Sequence, residues 1–266
     1  MPLAYYSRAA TEEFWSEHWG GQDPGALLAV ARHSPLTGLL ESALPGRGVV
    51  LEAGCGLGQY VVLLRERGHR AVGADWSLEA LRRCRKQAGD APLAAMDLGA
   101  LAVRDGAAAA YLSLGVVEHD AAGPERLLAE ARRVLEPGGR LVLSVPYVNG
   151  VRRLFRPYLT RRQGELRATG GQFYQYAFTR REVRGFLAGA GFDVLELAPY
   201  DPARVLRKAL RRGQRGGAPV ARPPSAMAAR AGEGAPLLTR LARRLLYTGP
   251  ALRLLGHMIL AVAVKR

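Results

Sequence analysis

The stretch Val49 to Tyr60, VVLEAGCGLGQY, constrains this chain more than any other. Val49, Val50 and Leu51 read as a short buried strand, and Gln59 to Gly68 has the apolar spacing of a helix with a glycine stop. Between them Gly54, Gly56 and Gly58 let the backbone approach whatever lies above the strand end, because no Cβ stands in the way. The spacing is G-x-G-x-G, not the G-x-G-x-x-G that seats a dinucleotide pyrophosphate on a helix N-terminus. Glu52 ends the strand just ahead of the turn. A carboxylate there repels a pyrophosphate and suits a cation.

The rest of the chain repeats the alternation. Arg70 to Asp75, RAVGAD, is a second strand ending in an acid, and Asp75 lies 21 positions beyond Gly54, where a βαβ unit returns a carboxylate to a ribose. Trp76 follows and can lie against an adenine. Ser77 reads as the N-cap of a helix running to Ala88. Pro92 to Leu98 is a third short strand with Asp97 near its end, and Ala107 to His119 a fourth. Pro124 to Leu135 reads as a helix, EPGG as a turn and Arg140 to Tyr147 as a fifth strand. Strands alternating with helices at this spacing predict a parallel sheet.

The flanks are different. The first 47 residues read as helical and aromatic; Tyr5, Tyr6, Phe14, Trp15 and Trp19 either pack a helix against the sheet edge or cap a ligand. Arg152 to Gly171 is a basic insertion after the fifth strand, where a lid over an acceptor can sit. Of the formal net charge of +15, the segment Asp201 to Arg253 holds +10, with 12 Lys or Arg against Asp201 and Glu233. Within it Gly213 to Pro236 reads as a linker. Val205, Leu206, Ala209 and Leu210 face away from Arg207, Lys208, Arg211 and Arg212; Leu238, Leu241 and Leu245 face away from Arg240, Arg243 and Arg244. Such patterns suit an anionic membrane interface or an ordinary lid, and a GC-rich genome also produces an arginine bias. His257 to Lys265 reads as the last strand.

At 266 residues and 48% hydrophobic, the chain can bury one sizeable core. No apolar run approaches the roughly 18 residues of a spanning helix, the N-terminus lacks a signal-peptide pattern, and Cys55 and Cys84 are the only cysteines. A cytoplasmic location, with peripheral contact to a membrane, is the expectation.

LEAGCGLGQY, GADWS, MDL, SLGVVEH and ARRVLEPGGRLVLSVPY follow one another in a way that resembles the class I S-adenosylmethionine-dependent methyltransferases, in their small-molecule or ubiquinone/menaquinone-type branch. The similarity covers Val49 to Tyr147 and fades into Phe173 to Leu197. S-adenosylmethionine carries a sulfonium and an α-ammonium, which matches Glu52. The resemblance implies that Glu52, Gly54, Cys55, Gly56 and Gly58 line the methionine and ribose portion. It likewise implies that Asp75 and Trp76 hold ribose and adenine, Asp97 and Leu98 the base, and Leu114 the methionyl end. The N/D-P-P-Y/F motif of amino-methylating nucleic-acid enzymes is missing, so a nucleic acid is not the expected partner, and no metal site is expected.

The expected fold is therefore a doubly wound, Rossmann-like α/β sheet of seven mostly parallel strands, the last antiparallel. Residues 1–47 form a helical cap, 48–200 and 257–266 the core, and 201–256 a basic helical insertion before the last strand. The expected activity is methyl transfer from S-adenosylmethionine to a small, apolar or lipid-like acceptor. His119 and Glu118 are candidates for a general base or for orienting the loop after the fourth strand. Tyr147, Tyr174 and Tyr176 are candidates for the acceptor pocket. An NAD-dependent oxidoreductase shares the strand, turn and acid layout but needs the longer glycine spacing. A non-catalytic membrane- or RNA-associated protein rests on the basic segment alone.

Overall fold

In a computed structural model the described residues are 1–202 and 244–266. Both amphipathic patterns and the linker predicted between Val205 and Leu245 lie wholly or almost wholly outside them. The core is a seven-stranded sheet. Its strands are β2 (Val49–Ala53), β3 (Arg70–Asp75), β4 (Leu93–Ala95), β5 (Ala108–Leu114), β6 (Leu135–Pro146), β8 (Phe192–Tyr200) and β9 (Met258–Lys265), in the order β4-β3-β2-β5-β6-β9-β8. β4 to β6 run parallel, and β9 inserts antiparallel to both β6 and β8. This is the doubly wound arrangement expected. The chain order reverses at β2, so the ligand crevice lies over the carboxyl ends of β2 and β5.

The helices follow from the spacing that predicted them. α4 (Gln59–Glu66) buries Tyr60 to Leu64 without a gap because it is sandwiched between the sheet and the N-terminal helices. α5 (Leu78–Ala88) starts at Ser77, whose Oγ accepts from the Ala80 amide at 3.2 Å. α6 (Glu125–Val134) covers the other face of the sheet with Leu127, Leu128, Ala131 and Val134.

Three expectations need correction. The first 47 residues are not wholly helical: β1 (Leu3–Ser7) precedes α1 (Glu12–Gly20), α2 (Pro24–Arg32) and α3 (Pro35–Ala43), and pairs antiparallel with β7 (Gln172–Ala177) in a separate two-stranded sheet. The fourth strand stops at Leu114, because Gly115 takes φ +79°; Val117–His119 is a 3-10 turn. EPGG lies within β6, whose pairing to β5 shifts register there. The insertion after β6 is a pair of helices, α7 (Gly150–Leu154) and α8 (Arg156–Ala168). α9 (Arg180–Gly189) leads into β8, and α10 (Gly249–Leu255) leads into β9.

Candidate active site

The glycine turn is shaped by its neighbours. Gly56 has φ +52°, and a Cβ there would meet the Trp19 ring at 2.7 Å; Gly58 has φ +71°, and its Cβ would sit 2.1 Å from Cys84 Sγ. Glycine is therefore required twice over, by backbone conformation and by space. Asp75 completes the turn. Its Oδ2 accepts from the Gly56 amide at 2.8 Å and its Oδ1 from the Ser77 amide at 2.9 Å. Each oxygen keeps a further lone pair, so the carboxylate can still accept from a ligand. Burial pushes its pKa up from the ordinary aspartate value, against those same backbone bonds.

Above the turn lies a cavity of about 510 Å³. Of the residues singled out by sequence, Glu52, Gly54, Cys55, Asp75, Trp76, Asp97, Leu98, Leu114 and His119 line it. Gly56 and Gly58 stand behind the wall. Glu118, Tyr147, Tyr174 and Tyr176 do not line it either. Glu118 is buried on the 3-10 turn with its Oε2 lacking a hydrogen-bond partner. The Tyr174 carbonyl lies 2.7 Å from His119 Nδ1, and the Tyr176 hydroxyl donates to the Ala121 carbonyl at 2.9 Å.

Two buried oxygens on the cavity wall have no partner: Glu52 Oε2 and Gln59 Oε1. Unsatisfied buried acceptors cost free energy, so their presence at a cavity marks a place for a donor-bearing ligand. Burial, with Asp75 nearby, pushes the Glu52 pKa up to about 8. A cation bound beside it would reverse that shift. Asp97, also on the wall, is held by the Gly99 amide at 2.8 Å and by Arg126 at 3.1 Å, and its pKa falls below the ordinary carboxylate range, chiefly through that amide.

Trp15 and Trp19 of α1, which the sequence left open to edge packing or to a cap, line the cavity. Arg83 ties the cap down by donating to the carbonyls of Trp19, Gly20 and Gln22, and Ser16 Oγ lies 2.9 Å from Ser77 Oγ. Ser144 and Tyr200 also line the cavity, their hydroxyl oxygens 2.5 Å apart. They lie 56 residues apart, and β9 between their strands aligns them, so no local signal could have shown the pair. Gln59 was within view, as the residue after the last glycine of the turn.

Residues 51–143 match the family described as a methyltransferase domain. That match makes residues 51–143 similar to a methyltransferase domain. The seven-stranded fold of the chain is also the fold of solved S-adenosylmethionine-dependent methyltransferases, in line with the class expected from the motifs. A segment of 110 residues is 36% identical to an uncharacterized 37.1 kDa protein in transposon TN4556 of Streptomyces fradiae, covering 39% of this chain and 31% of that one. Another, of 118 residues, is 33% identical to a tRNA (carboxymethyluridine(34)-5-O)-methyltransferase of Mus musculus, covering 43% of this chain and 17% of that one. The chain thus spans a third or less of the curated relatives it matches. Among solved structures, geranyl diphosphate C-methyltransferase from Streptomyces coelicolor A3(2) superposes with a TM-score of 0.61 at 16% identity, covering 97% of this chain and all of that one. The likeness is one of fold. No helix among the described residues is long and apolar enough to cross a membrane.

Proposed function

We propose that the protein transfers the methyl group of S-adenosylmethionine to a small, apolar or lipid-like acceptor, as in the small-molecule branch of the fold. The observation that carries this reading is the pair of unpartnered buried oxygens, Glu52 Oε2 and Gln59 Oε1, on one cavity wall. An α-ammonium supplies the donors both lack; a pyrophosphate supplies none. Asp75 would take the ribose hydroxyls, Trp76 the adenine face, Asp97 and Leu98 its edge, and Leu114 the methionyl end. When bound, S-adenosylmethionine supplies a methyl group on a sulfonium, open to in-line displacement. The protein's tasks are then alignment and exclusion of water, and the Trp15 and Trp19 cap serves the second.

His119 is the base in this reading. A carbonyl oxygen only accepts, so His119 Nδ1, 2.7 Å from the Tyr174 carbonyl, carries the proton and Nε2 keeps its lone pair. Burial pushes the His119 pKa down from the ordinary histidine value, which favours the neutral ring. Tyr174 acts through His119 by its backbone and not as a wall of the pocket. Leu36, Leu127 and Met258 line the cavity along with the Ser144 and Tyr200 hydroxyls, a mixed wall that suits an apolar molecule bearing one oxygen. Residues 1–47 act as the cap, and 48–200 with 257–266 as the core.

A tRNA acceptor is the second reading, because one relative carries that activity by name. The family match ends at residue 143, ahead of Ser144, Tyr200 and Met258, so it does not reach most of the acceptor wall. Formation of S-adenosylhomocysteine should depend on an added extract of apolar, hydroxylated small molecules. Turnover with tRNA and none with that extract would overturn the proposal.

A further inference from the structure

The helices after β6 carry a surface that methyl transfer leaves unused. α8 has no buried residue. Its inner side is held by Leu159, against Leu3, Val148 and Ala177, and by Gln163, whose Oε1 accepts from the Tyr6 amide at 2.8 Å. Leu154 (76% exposed), Phe155 (53%) and Tyr158 (58%), at the α7–α8 junction and in the first turn of α8, are nevertheless exposed. Leu254 of α10 is 51% exposed and packs on Gly150 of α7, where an added Cβ would meet its Cδ1 at 2.7 Å. Gly150 and Leu154 are one helical turn apart, so the two leucines are neighbours across α7 and α10.

Charge surrounds this apolar group. Residues 150–171 contain six arginines and one acid, Glu165, which pairs with Arg161 at 3.0 Å. Arg153, Arg161 and Arg162 are exposed beside Leu154, Phe155 and Tyr158.

We propose that this face docks on an anionic lipid bilayer, with Leu154, Phe155, Tyr158 and Leu254 entering the interface and the arginines meeting headgroups. Charge complementarity selects an anionic partner. The exposed leucines select a bilayer over RNA, since a hydrocarbon boundary rewards aliphatic side chains, whereas single-stranded nucleic acid rewards aromatic stacking. α7 and α8 follow the carboxyl end of β6, and α10 leads into Met258, which lines the cavity. The docking face therefore adjoins the acceptor end of the site, and a lipid-like acceptor can pass directly from the bilayer. The proposal does not rest on methyl transfer, because vesicle binding needs neither cofactor nor acceptor.

The test is sedimentation of the full chain with phosphatidylcholine vesicles, with and without phosphatidylglycerol, at low and high salt. Binding should require the anionic lipid and weaken with salt. Leu154→Ser with Phe155→Ser should abolish it, and Arg153→Gln and Arg162→Gln should each lower it by roughly fivefold, with unchanged thermal unfolding. A protein that stays in the supernatant overturns the proposal. So does binding that these substitutions leave intact, which would assign adhesion to other residues, or retention of tRNA with no sedimentation on vesicles.

Discussion

His119 Nδ1 sits 2.7 Å from the backbone carbonyl of Tyr174, on the strand that pairs with the N-terminal β1. The contact couples the loop after β5 to an element far away in the chain, and it selects the tautomer that leaves Nε2 able to take a proton. Trp15 packs edge-on to the same imidazole, with ring centroids 5.0 Å apart.

If His119 is the base, His119→Ala should lower turnover by about 100-fold or more and leave cofactor affinity intact. The acid limb of the rate profile should lie at lower pH than an ordinary histidine would place it, because burial depresses the His119 pKa. Changes of less than a few fold in both constants would assign His119 the orienting role instead.

Gly56→Ala places a methyl group against Trp19 at a φ of +52°. The substitution should cost about 1 to 3 kcal/mol of stability and weaken S-adenosylhomocysteine binding by displacing the cap. Trp19→Ala in the same chain should restore part of the loss. Calorimetric melting of the single and double variants measures it, and purely additive losses would show that the two residues do not oppose each other.

The sheet was legible because alternation of strand and helix is a local pattern, and the β2 turn because its glycines and acids fall at fixed spacings. What escaped was non-local. β1 pairs with β7, with Leu3 opposite Ala177, and five residues of an aromatic N-terminus carry no sign of that partner. The Ser144 and Tyr200 contact depends on β9 inserting between their strands. The fourth strand was drawn too long and the fifth too short where a glycine ends the ladder or its register shifts, at Gly115 and across EPGG.

Glu52 and Glu118 should make the ligand-free protein less stable as pH rises. Both have folded pKa values near 8, against 4.5 when exposed. The folded state then holds protons that the unfolded state releases, so stability is greatest below about pH 4.5 for these two groups and is lost progressively up to about pH 8. Glu52→Gln should flatten part of this slope in urea titrations from pH 5 to pH 8. An unchanged slope would show that Glu52 is ionised in the fold.

Titration of the protein with S-adenosylmethionine and with NAD by calorimetry bears most directly on the cofactor site. The account predicts a micromolar-range constant for S-adenosylmethionine, on the order of 7 to 8 kcal/mol. Binding should tighten between about pH 6 and about pH 7.5 as the cation draws the proton from Glu52, and Asp75→Ala should weaken it strongly. Binding of NAD without binding of S-adenosylmethionine would contradict it.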